Sequence, residues 1–102
     1  MKVRNITSSN GKEVPNQFII TDEGRGALGN FKLREIFQSY DSVIAVRIEW
    51  ENRTEIRLDK KYWDFSKTTG KYRNQFLGEN IADTRAKIKS GEYVLADLNR
   101  NL

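Results

Sequence analysis

Between Lys60 and Arg73 the chain sets five bases, Lys60, Lys61, Lys67, Lys71 and Arg73, against a single acid, Asp64. Tyr62, Trp63, Phe65, Tyr72 and Phe76 are interleaved with them or follow closely. Bases neutralise phosphates or an acidic protein surface, and an exposed ring among them stacks on an unpaired nucleobase. The run therefore suits an anionic partner, and equally a packed core edged by solvated lysines. Ser66, Thr68 and Thr69 beside Lys67 place hydroxyls at a helix start, where free backbone N–H groups hold a phosphate. The plainer role for Ser66 is to cap that helix. The candidate partner-binding residues are Lys60, Lys61, Tyr62, Lys67, Lys71 and Arg73, all expected at the surface. Adjacent residues leaving a strand point apart, so Trp63 is expected in the core and Tyr62 at the contact.

Catalysis has little to work with. The sequence has no His and no Cys, which removes the usual general base, the commonest metal ligand and the thiolate nucleophile. Glu49, Glu51 and Glu55 surround one hairpin, at a spacing that a solvated strand face produces anyway. Asp59 and Asp64 beside Lys60 and Lys61 read as surface ion pairs, which contribute little. The expectation is a protein that is not an enzyme, with no catalytic residue, no metal site and no cofactor. Gly24 to Gly29 matches G-x-G-x-x-G. A dinucleotide site needs that motif inside a doubly wound parallel sheet, for which 102 residues are too few. These glycines are read as a flexible connection.

The elements that must carry this surface follow from pattern. Ser66 caps a helix that Gly78 ends, with Thr69, Tyr72 and Phe76 on its inner stripe. Asn80 caps a second helix from Ile81 to Ser90, stopped by Gly91, with Lys87 and Lys89 where cations suit the helix dipole. Before the helices, Phe18 to Thr21 reads as a strand, and Glu35 to Tyr40 as another that turns at Asp41-Ser42. Ile44, Val46, Ile48 and Trp50 alternate with polar residues, the pattern of a half-buried antiparallel strand. Ile56 and Leu58 extend the same apolar face after a turn at 51–54, and Tyr93 to Ala96 closes the chain's β structure. The fold class is α+β: a small antiparallel sheet of about four to five strands packed against two consecutive helices. Ile44, Val46, Trp50, Trp63 and Phe76 are expected between sheet and helices.

The whole chain reads as one domain, with residues 1–16 a loosely structured leader, because Pro15 is excluded from a central strand, and 98–102 a polar tail. Charged residues are 31% and apolar residues 37%, polar enough to suggest a large solvated or partner-facing surface. The net charge of +4 arises wholly in residues 52–102, since bases and acids balance in residues 1–51. No apolar run follows Met1-Lys2-Val3-Arg4, so the protein reads as cytoplasmic, with no membrane partner.

Two blocks carry a resemblance. Phe37-Gln38-Ser39-Tyr40 followed by Val43-Ile44-Ala45, and Leu58-Asp59 followed by the run from Tyr62 to Glu79, resemble a family of small proteins carried by phages and mobile elements of Gram-positive bacteria. The resemblance covers about residues 35–98, and Asp22 to Arg34 looks like an insertion relative to it. Small proteins from that setting include inhibitors of CRISPR–Cas nucleases, some directed at Cas9. The resemblance thus implies a type II anti-CRISPR protein whose partner is the nuclease or its guide RNA or DNA. The readings from a different class are a nucleic-acid-binding accessory protein of phage replication or regulation, and a protein-interaction module unrelated to nucleic acid.

Overall fold

The computed structural model describes residues 1–23 and 31–100, so the Gly24–Gly29 motif lies outside the described residues. Strands β1 (Lys2–Thr7), β2 (Glu13–Glu23), β3 (Leu33–Ser39), β4 (Ser42–Glu49) and β5 (Thr54–Asp59) form one meander in chain order. Helices α1 (Lys67–Leu77) and α2 (Ile81–Ser90) follow, and β6 (Tyr93–Ala96) closes the six-stranded sheet beside β5. The α+β class holds. The sheet is larger than expected, and it is mixed: β6 runs parallel to β5 while the other neighbours are antiparallel. A parallel neighbour cannot be reached by a hairpin, and the two helices supply the long crossover it needs.

The expected leader is instead a strand pair. Asn5 pairs with Phe18 and Thr7 with Glu13, so β2 carries extra residues between these two positions. Pro15 falls in that bulge, where no ladder hydrogen bond is asked of it. Asn16, at φ 64°, sits there as well, and Asn5 Nδ2 donates to the Val14 carbonyl. Ile6, from the expected leader, is 2% exposed and part of the core.

A second bulge decides which side of the sheet each β4 residue faces. Phe37 pairs with Ala45 but Gln38 pairs with Val43, leaving Ile44 as the extra residue. Ile44 and Ala45, though adjacent, are both buried. One inserted residue inverts the alternation beyond it. Val46 and Ile48 therefore lie in register with Ile36 and Arg34 on the face away from the helices, correcting the expectation that they share the face of Ile44.

The helix-covered core is built from Ile6, Ile19, Phe37, Ala45, Leu58 and Tyr93, with Tyr72 and Phe76 of α1 closing over them. Phe37 and Phe76 stack with centroids 5.8 Å apart. Arg47, a residue the alternation sends to solvent, instead faces α1. Its guanidinium lies 4.4 Å from the Phe76 ring centroid, donates to the Phe76 carbonyl at 2.8 Å and pairs with Glu35 at 3.0 Å. Trp50 and Trp63 are half-buried rather than central: Trp63 flanks the core, and Trp50 packs edge-on against Phe31 at the hairpin end.

Candidate binding surface

Two clefts meet at Tyr62. The first, about 300 Å³, lies between the β3–β4 turn and the start of α1. Tyr40, Tyr62 and Phe65 supply its rings, while Ser39, Ser42, Ser66 and Thr69 supply hydroxyls and Asp41 a carboxylate. The second, about 280 Å³, is lined by Lys60, Lys61 and Arg100 with Asp59, Asp97 and Asn99.

Local chemistry positions each part. Ser66 caps α1 as its sequence predicts, accepting from the Thr69 N–H at 3.1 Å. Thr69 Oγ1 then meets Ser39 Oγ at 3.1 Å, which ties the helix start to β3. The first turn of α1 is Lys67-Thr68-Thr69, with no acid to offset the positive end of the helix dipole. Phe65 occupies the position before the cap, from which an apolar side chain ordinarily packs on the fourth helical residue. That residue is Gly70, which has no side chain to offer, and Phe65 stays 68% exposed. Its ring lies 5.4 Å from that of Tyr62, edge to face.

Tyr40 is held differently. It takes φ 56° in the turn between β3 and β4, a left-handed conformation that glycine adopts freely and other residues adopt at a cost on the order of 1–3 kcal/mol. Its N–H donates to the Asn16 carbonyl at 2.7 Å and its carbonyl accepts from Gln38 Nε2 at 2.8 Å. With its backbone fixed at both ends, the ring stands 56% exposed beside the cleft.

Of the residues chosen from sequence, Lys60, Lys61, Lys67 and Lys71 are exposed. Lys60, Lys61 and Tyr62 come together at the second cleft. Tyr62 is half-buried and packs against the core as Trp63 does, so the expected split between them is not observed. Lys67 continues from the rim residue Ser66, whereas Lys71 lines neither cleft and holds its ammonium 5.3 Å from the Tyr72 ring.

Arg73 is the correction. It is 1% exposed, donates to the Trp63 carbonyl at 2.7 Å, to Asp64 at 3.2 Å and to Asn74 Oδ1 at 2.9 Å, and lies 5.3 Å from the Trp63 ring. It fastens α1 to the loop before it and presents no charge to a partner. The spacing carries the signal: Thr69, Tyr72, Arg73 and Phe76 fall at i, i+3, i+4 and i+7, one helix face. Asp59 is likewise no surface pair. At 1% exposure its carboxylate accepts from the N–H groups of Lys61, Tyr62 and Leu98, so it shapes the turn that carries Lys60 and Lys61.

Tyr40 and Phe65 line the first cleft beside Tyr62 without being among the residues expected from sequence. For Phe65 the signal was the glycine at the fourth helical position. Tyr40 offered none, since its exposure follows from the turn geometry. Among the described residues no group of carboxylates is arranged to hold a metal, and no helix is long and apolar enough to cross a membrane.

Residues 1–93 match the model of a family of unknown function (DUF8033), and the chain belongs to that family. No curated protein and no solved structure matches it.

Proposed function

We propose that this family member is a non-enzymatic binding protein that takes single-stranded nucleic acid across the two clefts. The carrying observation is the trio of rings around the first cleft, two of them more than half exposed, beside a second cleft edged by Lys60, Lys61 and Arg100. Stacking on exposed rings contributes about 1–3 kcal/mol per base and tolerates any sequence, and nearby lysines neutralise the phosphates between bases. The hydroxyl of Ser42 suits the polar edge of a base. Asp41 accepts from a base amino group and disfavours a phosphate at its own position.

The resemblance to phage and mobile-element proteins supports a narrower version, in which the same surface competes for the guide RNA or DNA of a Cas9-type nuclease. One titration series addresses the broader reading. Fluorescence anisotropy with labelled single-stranded DNA and RNA should detect binding at low salt that weakens steeply as salt rises. Phe65→Ala should reduce affinity roughly tenfold. No binding at low salt refutes the nucleic-acid reading. Cleavage by Cas9 ribonucleoproteins, with the protein titrated in, tests the narrower version separately: unimpeded cleavage across several orthologues leaves an accessory role in place of inhibition.

A further inference from the structure

The polar groups of the first cleft divide into those already paired and those left free. Thr69 Oγ1 meets Ser39 Oγ at 3.1 Å and Ser66 Oγ at 3.2 Å, so these three hydroxyls satisfy one another. Asp41 and Ser42 line the same cleft, and among the described residues nothing pairs with the carboxylate of the one or the hydroxyl of the other. By contrast, backbone N–H groups engage Asp59, Arg73 and Arg85 engage Asp64, and Lys87 and Tyr93 engage Glu79. The hairpin holds the free pair in place. Ser39 pairs with Ser42 across β3 and β4, so Tyr40 and Asp41 are the whole of the turn, and the Tyr40 N–H is fixed to the Asn16 carbonyl.

Asp41 is also the one charged residue lining this cleft among the described residues. It repels a phosphate, whereas Lys60, Lys61 and Arg100 attract one at the second cleft. What enters the first cleft is therefore the base. At about 300 Å³ the cleft lies at the bottom of the range of small-molecule pockets, about 300–1,000 Å³, as suits one base and no larger ligand.

We infer that this base is guanine, with Asp41 as the residue that selects it. The inference rests on the single-strand reading above and adds to it a choice among bases. A carboxylate carries two acceptor oxygens and no donor. Guanine sets two donors side by side, N1–H and the 2-amino group, next to its O6 acceptor. Asp41 accepts from both donors, and the Ser42 hydroxyl donates to O6. Adenine and cytosine each set one amino donor beside a ring-nitrogen acceptor, so the second carboxylate oxygen faces a lone pair. Thymine and uracil offer a single N–H between two carbonyls, with the same result. A site that leaves its polar groups unpaired rejects such a ligand. Stacking tolerates every base, so Tyr40, Tyr62 and Phe65 supply affinity and leave the choice to the polar pair.

Fluorescence anisotropy at low salt tests this with oligothymidine strands that carry one central guanine, hypoxanthine, adenine or cytosine. The guanine strand should bind about tenfold tighter than the others, as a bidentate side-chain–base pair discriminates. Hypoxanthine keeps N1–H and O6 but lacks the 2-amino group, so its deficit reports the second donor without any change to the protein. Asp41→Asn, which replaces one acceptor oxygen with an amino group, should bring the guanine strand level with the rest. The ratio is the readout, because losing a negative charge eases the approach of every strand. Phe65→Ala should weaken all strands and keep the ratio. Equal affinity for guanine and hypoxanthine overturns the inference, as does a guanine preference that survives Asp41→Asn, and both leave the single-strand reading standing. Absence of binding to every strand refutes that reading and the inference with it.

Discussion

The two ends of α1 hold similar kinds of residue in opposite states. Past its C-terminal end, Glu79 accepts from Tyr93 at 2.7 Å, from Lys87 at 2.8 Å and from Thr84 at 2.5 Å, and its side chain is 7% exposed. At its N-terminal end Tyr40, Tyr62 and Phe65 stand around an open cleft. A buried carboxylate is tolerated only when its acceptor sites are filled, so the groups around Glu79 are committed to holding α1, α2 and β6 together. Rings left in water contribute little to folding and remain available to a partner. The closed end is structure, and the open end is where a ligand has something to gain.

Arg73 sits near the cleft yet belongs with the closed end, and breaking it gives the largest expected effect. Arg73→Ala leaves the Trp63 carbonyl without this donor and Asp64 with Arg85 at 3.3 Å in its place, and it empties a buried volume. A loss of about 3–5 kcal/mol in chemical denaturation is expected, enough to unfold much of a domain this small. A near-wild-type midpoint for Arg73→Ala would place its side chain at the surface.

Glu79→Ala comes next, at about 2–3 kcal/mol, because Tyr93 and Thr84 lose a charged acceptor. The same cluster sets a pH dependence. Burial works to raise the Glu79 carboxyl, but the hydrogen bonds from Lys87, Thr84 and Tyr93 outweigh it and hold the group below its ordinary 4.5. That stabilisation is present above the ordinary carboxylate range and is lost as pH falls through the depressed value. Burial first, then the bond to Glu79, pushes Tyr93 up to about 12 from 10.0. A raised tyrosine stabilises the fold below its ordinary value, and this is lost as pH rises from about 10 toward about 12. Tyr93→Phe should therefore flatten the alkaline limb of a melting-temperature profile and soften the acid limb. An unchanged profile would mean that the cluster is not closed in solution.

The smallest stability effects belong to the open end, and they sharpen the comparison most. Phe65→Ala should change stability by less than about 0.5 kcal/mol. Tyr40→Gly removes the cost of a left-handed tyrosine and should leave the melting temperature unchanged or higher. Both should weaken oligonucleotide binding measurably. Binding that survives both substitutions would move the contact to the second cleft and its lysines.

How much of this was legible without coordinates depends on the range of the signal. Both helices were, with their ends, because Ser66 and Asn80 satisfy N–H groups within one turn and Gly78 and Gly91 adopt the left-handed conformation that ends a helix. The missing His and Cys, the excess of base after residue 52 and the central strands were equally local. Even the burial of Arg73 was written in its spacing from Thr69 and Phe76, although its charge argued the other way.

Tertiary structure alone decided the rest. Asp59 reads as one more surface acid until the N–H of Leu98, far along the chain, turns toward it. β6 became a parallel neighbour of β5 because two helices carried the chain back across the sheet. Which face received Val46 and Ile48 depended on how β4 paired with β3. A period of two residues specifies alternation but not its phase, and one unpaired residue, Ile44, inverts that phase for everything after it.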